Sequence, residues 1–452
     1  MGSGFPRKAA GELDSRAFPL SHAQKGLWFA QQLDPTVAIL VAQYVELRGP
    51  VDVGALKWAS EQGSFDIESP GVRLVDHAGE PYQLADETID DELAYIDLRS
   101  HEDPVAQAHR WMDERRRRPM SVYRDRLISA TLLHVGGDHY FLTTFAHHLI
   151  LDGYGAMVLM NRVAELYTHA VDRTEAPVSK AVPLRELYES EDAYPRSRRF
   201  EIDREYWSER TKDLPEPSRL TDRDSAPSAV SLLASEVMDP VVVDELKALA
   251  QEWNSFEVPI VVAAFAAFLA RMTGNSDVVL SLPVSARTTA GARRSGGSVA
   301  NIVPLRIEVD PRGTTHDLVR RVQLELTGAL RHQRFRYEDI LHDMRSTSRV
   351  GRGFGPMVNI MMFHTETWWG DVLGELNVLT AGPVDDLAVA IYPGAAGQNV
   401  RVDFEGNPAV YEREELAGHH ARFLDYLGGF VGADATRPWV ACRCSSETNS
   451  TR

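Results

Sequence analysis

The sequence predicts an α/β protein built from two lobes with a cleft between them. Apolar runs of strand length alternate with stretches of helical periodicity along the 452 residues. A polar segment at 171–230, rich in Pro, Ser, Asp and Arg, separates two halves that repeat this alternation. A chain of this length corresponds to two or three domains of ordinary size. We therefore expect the polar segment to be the crossover between two lobes, with a cleft where the lobes meet.

The first half is predicted to contain three strands and two helices. Residues 41–49, 125–135 and 139–150 are apolar runs of strand type, and a Gly-Gly-Asp turn joins the last two. A helix is expected from Val51 onward. A second helix is predicted over about 154–170, where apolar residues recur at helical spacing. The last strand and the second helix therefore meet at a short junction near residue 152.

The second half is predicted to repeat this pattern with more elements. A helix around 204–214 interrupts the crossover, and the stretch after Pro438 is expected to be loose. Helices are predicted at 239–252, 256–273, 315–331 and 412–431, and strands at 278–285, 302–309, 356–365 and 387–393.

Composition and charge exclude several classes of function. The net charge is −17 and the pI about 5.4, which disfavours binding to nucleic acid or to anionic membranes. Cys442 and Cys444 are the two cysteines, too few for a zinc site and too close for a framework disulfide. Residues 1–20 contain no apolar block, and the longest apolar run, 258–270, is too short to span a bilayer. These features predict a cytoplasmic protein with a thiol-independent mechanism.

The junction near residue 152 carries the motif His147-His148-x-x-x-Asp152-Gly153. Successive side chains of a strand point to opposite faces, so one histidine should face the packed side of the sheet and the other the cleft. The helix that begins after Gly153 offers unpaired backbone N–H groups. An imidazole beside such groups suits acyl transfer, because it can accept a proton from an attacking amine or hydroxyl while the N–H groups stabilise the oxyanion.

Other interpretations of the motif stay open at this level. Asp152 has two possible roles, since it could orient the histidine in the manner of a triad or turn away and pair with a buried arginine. The histidine pair could be purely structural. A metal site is disfavoured, because no third ligand lies at a matching spacing.

Together with five other segments, this motif makes the chain resemble the condensation domains of nonribosomal peptide synthetases. The opening segment 21–35 has Ser21, Ala23, Gln24, Leu27 and Trp28 in the family's positions, and 147–153 matches the family's signature. The remaining segments are 271–287 with Arg287 but Ala286 in place of Gly, 298–306 with Asn301 and Arg306, 331–341 and 355–363. The resemblance extends over about residues 18–432.

The resemblance implies a fold of two chloramphenicol-acetyltransferase-like lobes that form a pseudodimer with a central tunnel. It implies that a carrier protein presents a phosphopantetheine arm at each mouth of the tunnel, with no bound cofactor and no metal. The expected segments are an N-terminal extension (1–17), an N-terminal lobe (18–180), the crossover (181–230), a C-terminal lobe (231–437) and a flexible tail (438–452).

The resemblance also implies roles for individual residues. His148 would be catalytic, as base or as a group that positions the nucleophile, and Gly153 would offer its N–H to the thioester carbonyl. His147 and Asp152 would be structural residues of the active site. Asp152 would pair with an arginine of the second lobe, first Arg287 and otherwise Arg306. The substrate-tunnel candidates are Tyr154, Asn301 and Arg306.

Three segments bear on how far the family pattern applies to this chain. Segment 67–75 departs from the family pattern, because it has Pro70 and Gly71 where Leu and Arg are usual, although Arg73 remains. The family's local shape is therefore not expected to carry over to this segment. Segment 381–393 resembles siderophore-type condensation domains that accept aryl-acyl donors. The tail does not resemble an adenylation domain, which favours a free-standing enzyme that meets its carrier protein in trans.

The expected reaction is therefore the transfer of an aminoacyl or aryl group from a carrier-bound thioester to a small amine or alcohol. One group of free-standing members resembles the condensation enzymes of enediyne pathways, which make esters, so the product is expected to be either an ester or an amide. The alternatives are a non-catalytic recruitment domain of the same fold and an acyltransferase that uses acyl-CoA. The intact motif favours catalysis, because recruitment domains usually have a degenerate one.

Three further features each have a structural and a functional interpretation. The arginine run at 114–119 is either a solvated helix end or a docking patch for a carrier protein or for the pantetheine phosphate. Trp368 and Trp369 are expected in a loop, packed on the second lobe or at the tunnel rim. His419 and His420 on the last helix are expected at the surface.

Overall fold

The protein is described here by a computed structural model. It describes residues 13–86, 93–344, 353–360, 366–392, 400–433 and 438–441. Both cysteines, the tail beyond 441 and part of the predicted strand 356–365 lie outside the described residues.

Eleven α-helices lie within the described residues. They are α1 His22–Leu33, α2 Val53–Ile67, α3 Pro104–Arg116, α4 Gly153–Val171, α5 Leu184–Ala193, α6 Arg198–Arg210, α7 Pro240–Glu252, α8 Glu257–Thr273, α9 Thr315–Arg331, α10 Tyr337–Asp343 and α11 Arg413–Val431.

Fifteen strands lie within the same described residues. They are β1 Phe18–Pro19, β2 Leu40–Arg48, β3 Val72–His77, β4 Glu80–Ala85, β5 Ala94–Asp97, β6 Ile128–Gly136, β7 His139–His147, β8 Leu232–Val237, β9 Asp277–Val284, β10 Asn301–Glu308, β11 Met357–Ile360, β12 Glu366–Trp369, β13 Val372–Thr380, β14 Leu387–Tyr392 and β15 Arg401–Gly406.

The chain divides into two compact units that do not follow simple sequence boundaries. The first unit consists of Met1–Pro195, Thr288–Val299 and Glu366–Gly382, and the second of the remaining segments. The contiguous lobes expected at 18–180 and 231–437 therefore differ from the observed units. Two short segments from the second half of the sequence belong to the first unit.

The first unit is built on a six-stranded sheet with the order β12-β13-β2-β7-β6-β5. Only the β5–β6 pair is parallel among these pairs of described strands. β2 and β7 pair residue for residue from Leu40 opposite His147 to Arg48 opposite His139. The helices α2 and α4 pack closely, since a methyl group built at Gly63 would lie 2.8 Å from Val163. This sheet fixes the position of the predicted motif, because β7 ends inside it.

The second unit has its own six-stranded sheet, with the order β10-β9-β11-β14-β15-β8. The helix α8 is apolar on all sides and is buried continuously from Pro259 to Ala270. Its Phe265 contacts Phe404 of β15 and Phe423 of α11 with ring centroids 5.9 and 5.4 Å apart. A helix that is apolar all round belongs in the interior of a domain. The core of this unit therefore lies between the sheet and α8 with α11.

Most predicted elements of the second half are observed within two residues of their predicted ends. The crossover contains two helices, α5 and α6, instead of the one that was predicted.

The interpretation of Trp368 and Trp369 as loop residues was wrong. They end strand β12, which turns at Gly370 into β13, and Trp369 is buried against Tyr167 of α4. The apolar pattern could not reveal this, because β12 pairs with β13, which in turn pairs with the distant strand β2.

The expectation that His419 and His420 lie at the surface was also wrong. Both side chains are buried on α11. The Nε2 atom of His420 donates a hydrogen bond of 2.8 Å to the carbonyl oxygen of Val402 in β15. His420 therefore connects the last helix to the sheet of the second unit.

No single helix among the described residues is long and apolar enough to cross a membrane. The helices α7 and α8 reach the required length and composition only as a pair, with a bend of 108° between them. The burial of α8 in the second unit explains its hydrophobicity as that of a core helix.

Candidate active site

The strand that carries the motif ends earlier than the sequence pattern predicts. β7 ends at His147, whereas the sequence pattern predicted a strand as far as 150. The N–H of His147 donates to the carbonyl of Leu127 and the N–H of His148 to that of Ile39. The N–H of Ile150 then donates to the carbonyl of His147, which closes a turn. His148 is therefore presented by a turn, and the two histidines do not differ simply as opposite faces of one strand.

His147 is fully buried and both of its ring nitrogens are bonded. Its Nδ1 accepts the backbone N–H of Leu149 at 3.0 Å. Its Nε2 lies 3.0 Å from Oε1 of Gln31 in α1. An amide oxygen only accepts, so Nε2 must carry the proton. Burial, together with the neighbouring His148, lowers the pKa of His147 to about 3. His147 is thus a neutral structural histidine.

This lowered pKa gives the stability of the protein a specific acid dependence. Above pH 6.5 His147 is neutral in the folded and unfolded chains and contributes no pH dependence. Between pH 6.5 and about 3 the unfolded chain binds a proton that the folded chain does not, so stability is lost as the pH falls. From pH 7 to pH 5 the free energy of unfolding should fall by about 2 kcal/mol because of this residue alone.

Denaturant unfolding of the wild type and of His147→Asn at pH 7 and pH 5 measures this contribution. The variant should be less stable at pH 7 but should lose about 2 kcal/mol less on going to pH 5. The exposed His101→Asn is the matched control and should lose as much as the wild type. An equal loss in all three proteins would contradict the assignment.

His148 differs from its neighbour in its exposure and in the hydrogen bonding of its ring. Its imidazole is half-buried, and its Nδ1 has no hydrogen-bond partner among the residues that the structure describes. Burial lowers the pKa of His148, and the negative charge of Asp152 opposes this in part. A Cβ atom built at Gly382 would lie 3.9 Å from Cδ2 of the ring. The motif therefore contains one histidine that is neutral at neutral pH and not used in structure.

Asp152 is fully buried and bonded to backbone on two sides. Its Oδ1 accepts the N–H of Gly155 at 2.8 Å and caps α4, and its Oδ2 accepts the N–H of Val299 at 2.9 Å. Its own N–H donates to the carbonyl of Gly297 at 3.2 Å. These bonds join the motif to segment 295–299 within the first unit. The bonds are those of a residue that holds a loop.

Two glycines make this loop contact possible. A methyl group at Gly155 would lie 2.7 Å from the carbonyl oxygen of Gly297. Gly297 has a φ of +78°, and a methyl group there would lie 2.7 Å from the hydroxyl of Tyr188. Positive φ and close backbone approach are the two conditions that favour glycine. The segment is held further by Ser69, whose Oγ accepts the N–H of Gly297 at 2.6 Å.

Segment 67–75, which departs from the family pattern at Pro70 and Gly71, is an ordered part of the structure. The chain forms a short 3-10 turn over Ser69–Gly71 and enters β3, where Arg73 pairs with Asp86 at 2.8 Å. The departure from the family pattern thus ends in an ordered turn.

Gly153 is the first residue of α4 and follows the Asp152 cap. Among the described residues its backbone N–H has no acceptor. Tyr154 follows and is half-buried. A free N–H at a helix start carries the partial positive charge of the helix dipole, and it suits a developing negative charge.

Arg287, Asn301 and Arg306 lie in the second unit. The Asn301 amide holds the loop before α10, since its Nδ2 donates to the carbonyls of Gln333 and Phe335 at 3.0 and 2.7 Å. The Arg306 guanidinium bonds to Asp277 at 2.7–3.2 Å. The pKa of Arg306 is raised, mainly by that hydrogen bond. These bonds give both residues a structural use, and their contact with substrate stays a prediction.

Arg287 is buried in the second unit. Asp152 belongs to the first unit, and the expected pairing of the two side chains stays a prediction.

The arginine run at 114–119 divides into anchored and exposed residues. The Arg115 guanidinium lies over the Phe145 ring at 5.5 Å, and Arg116 pairs with Asp113 at 2.8 Å. Arg117 and Arg118 are exposed. Only Arg117 and Arg118 of this run are therefore candidates for docking a carrier protein, and that role stays a prediction.

Sequence reasoning missed the buried amides that hold the motif. Gln31 bonds to His147, and the Nε2 of Gln24 donates to the carbonyl of Leu149 at 3.1 Å. Gln24 was recognised as a motif residue without a role. A spacing of seven places both glutamines on one face of α1, which is the signal that was available.

No group of three or more His, Cys, Asp or Glu side chains within the described ranges could hold a metal ion. Within the part of the chain that the structure describes, the site consists of the half-buried His148 imidazole and the backbone N–H of Gly153 at the start of α4.

Comparison with known proteins identifies the family to which this arrangement belongs. The sequence profile of the Condensation domain family matches residues 14–433. The chain belongs to the condensation domains. It is 32% identical over 91% of its length to a dimodular nonribosomal peptide synthase of Bacillus subtilis (strain 168) and 33% identical over 92% to an isonitrile lipopeptide synthase of Streptomyces coeruleorubidus. This condensation domain spans 17% and 28% of those two proteins.

Solved structures resemble it over almost the whole chain. The starter condensation domain of rhizomide synthetase, in complex with C8-CoA and Leu-SNAC, has a TM-score of 0.87 at 28% identity and covers 94% of this chain and 97% of its own. The first condensation domain of the calcium-dependent antibiotic synthetase has a TM-score of 0.87 at 32% identity, with coverage of 95% and 99%. The predicted α/β fold with two chloramphenicol-acetyltransferase-like lobes is thereby confirmed, and so is an acyltransferase-type enzyme of the amide-forming class.

Proposed function

We propose that this condensation domain transfers an acyl group from the phosphopantetheine thioester of a carrier protein to an amine or hydroxyl acceptor, with His148 at the centre of the reaction. One observation supports this best: the half-buried His148 side chain makes no side-chain hydrogen bond within the described residues, in a motif whose other polar side chains are used in structure. A side chain kept neutral and unbonded in such a place is available for proton transfer.

The proposed reaction forms a bond to the acceptor and breaks the thioester C–S bond. The acceptor nitrogen or oxygen attacks the thioester carbonyl, and its proton moves to His148 or, if His148 only positions the acceptor, directly toward the leaving sulfur. The Gly153 N–H would stabilise the oxyanion of the tetrahedral intermediate. Collapse releases the pantetheine thiol, which receives the proton.

Asp152 has a different part in this proposal. Its carboxylate would hold the loop that presents His148 and Gly153, and Arg287 would be its partner. The two backbone N–H groups that it accepts support this, because a triad carboxylate would bond to a ring nitrogen of the catalytic histidine.

The acyl donor has two candidates. The sequence favoured an aminoacyl or aryl group. A fatty acyl group is a second candidate, because a similar solved domain is in complex with C8-CoA and a similar curated protein is an isonitrile lipopeptide synthase. Four finer predictions from the sequence stay proposals: siderophore-type chemistry, enediyne-type chemistry, an ester product, and action in trans as a free-standing enzyme.

Turnover with matched donors distinguishes these possibilities. We expect an octanoyl, aryl or aminoacyl group on a carrier protein from the same gene neighbourhood to react at least about ten-fold faster than the same group on coenzyme A or N-acetylcysteamine. Binding energy from the carrier surface is available only to the first donor. Product mass and lability to alkali distinguish an amide from an ester. Equal or faster turnover with acyl-CoA would replace this proposal with an acyl-CoA-dependent acyltransferase.

A further inference from the structure

A chain of buried hydrogen bonds leads from helix α1 to the turn that presents His148. It begins at the amide of Gln31, which is buried in the first unit. The Nε2 of Gln31 donates to the carbonyl oxygens of Asp34 and Val37, both at 3.2 Å. Because both partners are acceptors, the amide orientation is fixed and Oε1 must face His147.

The direction of the next two bonds follows from this orientation. Gln31 Oε1 accepts from Nε2 of His147 at 3.0 Å, so His147 carries its proton on Nε2. Its Nδ1 is then an acceptor, and it receives the N–H of Leu149 at 3.0 Å. If His147 were protonated on Nδ1, two donors would face each other across this contact.

A second amide, that of Gln24, holds Leu149 through its carbonyl group. The Nε2 of Gln24 donates to the carbonyl oxygen of Leu149 at 3.1 Å. The Gln24 amide is itself fixed by Gln83 at 2.8–2.9 Å and by the N–H of Ser21 at 2.9 Å. Leu149 is therefore bonded at its N–H and at its carbonyl to buried side chains. His148 precedes it and is bonded through its own N–H to Ile39.

We propose that Gln31 is a positioning residue of the reaction, which acts by fixing the tautomer of His147 and through it the turn that aims the His148 imidazole. Gln24 completes the same arrangement from the carbonyl side of Leu149. The proposal rests on the catalytic role of His148 given above. Neither glutamine touches the reacting atoms in this account.

Gln31→Met tests the proposal, because it keeps the length of the side chain and removes the acceptor. We expect kcat to fall about ten-fold, the effect of one hydrogen bond on a barrier, while KM for the donor stays within about two-fold. The matched control is Gln32→Met, the same change at the exposed neighbour on α1, which should behave as the wild type.

Histidine-selective nitrogen NMR gives a readout that a merely structural role would not move. In the wild type His147 should be the Nε2–H tautomer between pH 5 and 8, assigned by comparison with His147→Asn. Gln31→Met should add an Nδ1–H population. In the His147→Asn background, where the asparagine oxygen can accept the Leu149 N–H, Gln31→Met should cost little further activity.

Gln31→Glu separates positioning from stability. Both substitutions remove the two donors to Asp34 and Val37, but Gln31→Glu keeps an acceptor facing His147, so it should retain more kcat than Gln31→Met at 10 °C, where both are expected to stay folded. The proposal is overturned if folded Gln31→Met keeps kcat within two-fold of the wild type, or if wild-type His147 is the Nδ1–H tautomer. Failure of the proposed function would appear separately, as full turnover by His148→Ala, since the tautomer is read without substrate.

Discussion

Replacement of His148 by alanine should lower turnover by about two to four orders of magnitude, the usual effect of general acid–base catalysis, and leave the fold intact. The structural reason for the second part is that His148 Nδ1 has no hydrogen bond to lose among the described residues. The backbone bond from its N–H to Ile39 remains in the variant. The change in stability should be about 1 kcal/mol or less.

The same substitution one residue earlier is the matched contrast. His147→Ala leaves the amide oxygen of Gln31 and the N–H of Leu149 without partners in the interior. A buried polar group without a partner costs about 1–3 kcal/mol, so this variant should be clearly less stable than His148→Ala. Single-turnover rates with a loaded carrier protein and denaturant unfolding of both variants provide the comparison.

The pH profile and a glutamine substitution refine the role of His148. Because burial lowers the pKa of His148, kcat should be flat through neutral pH and fall only on the acid side of the ordinary histidine range. His148→Gln keeps hydrogen-bonding groups but cannot accept a proton at neutral pH. If the imidazole acts as base, His148→Gln should be as slow as His148→Ala, and a positioning role predicts partial activity. Full turnover by His148→Ala would refute both roles.

The motif could be predicted because its geometry is local. The end of a strand, the Asp152 cap and the start of α4 all lie within a few consecutive residues. Short-range patterns of apolarity and capping specify such junctions. The sequence therefore located the motif and the start of α4 correctly, although the strand ends sooner than the alternation predicts. The catalytic role of His148 stays a proposal.

The supporting contacts could not be predicted, because they join residues far apart in the sequence. Gln31 and His147 are separated by 116 positions, and Ser69 and Gly297 by 228. Strand β13, which also pairs with β12, joins the first sheet beside β2, and the paired residues are more than 300 positions apart, as in Gly374 opposite Leu47. Local propensity carries no information about such pairings. For the same reason His420 was assigned to the surface, although β15 provides its acceptor.

Asp152→Ala should be among the most destabilising substitutions in the first unit. It leaves the N–H groups of Gly155 and Val299 without an acceptor at a site with no exposure to solvent. Loss of a cap costs about 1 kcal/mol and an unpaired buried donor about 1–3 kcal/mol, which gives about 2–4 kcal/mol together. Loss of the expected pair with Arg287 would add to this.

The matched control for this prediction is Asp103→Ala. Asp103 caps α3 in the same way, with its Oδ1 accepting the N–H of Ala106 at 2.9 Å, but it is exposed. Its removal should cost about 1 kcal/mol, because water replaces the lost acceptor. Equal midpoints of denaturant unfolding for the two variants would contradict the structural role of Asp152.

A third substitution separates the hydrogen bonds of Asp152 from its charge. Asp152→Asn keeps one acceptor oxygen for the cap and loses the negative charge. If the charge pairs with Arg287, Asp152→Asn should be nearly as destabilised as Asp152→Ala, and the two changes Asp152→Asn and Arg287→Met should together cost much less than their sum. Additive losses would mean that the backbone bonds to Gly155 and Val299 account for the effect. In either case the turn that presents His148 would be displaced. We therefore expect kcat to fall even when it is expressed per correctly folded molecule.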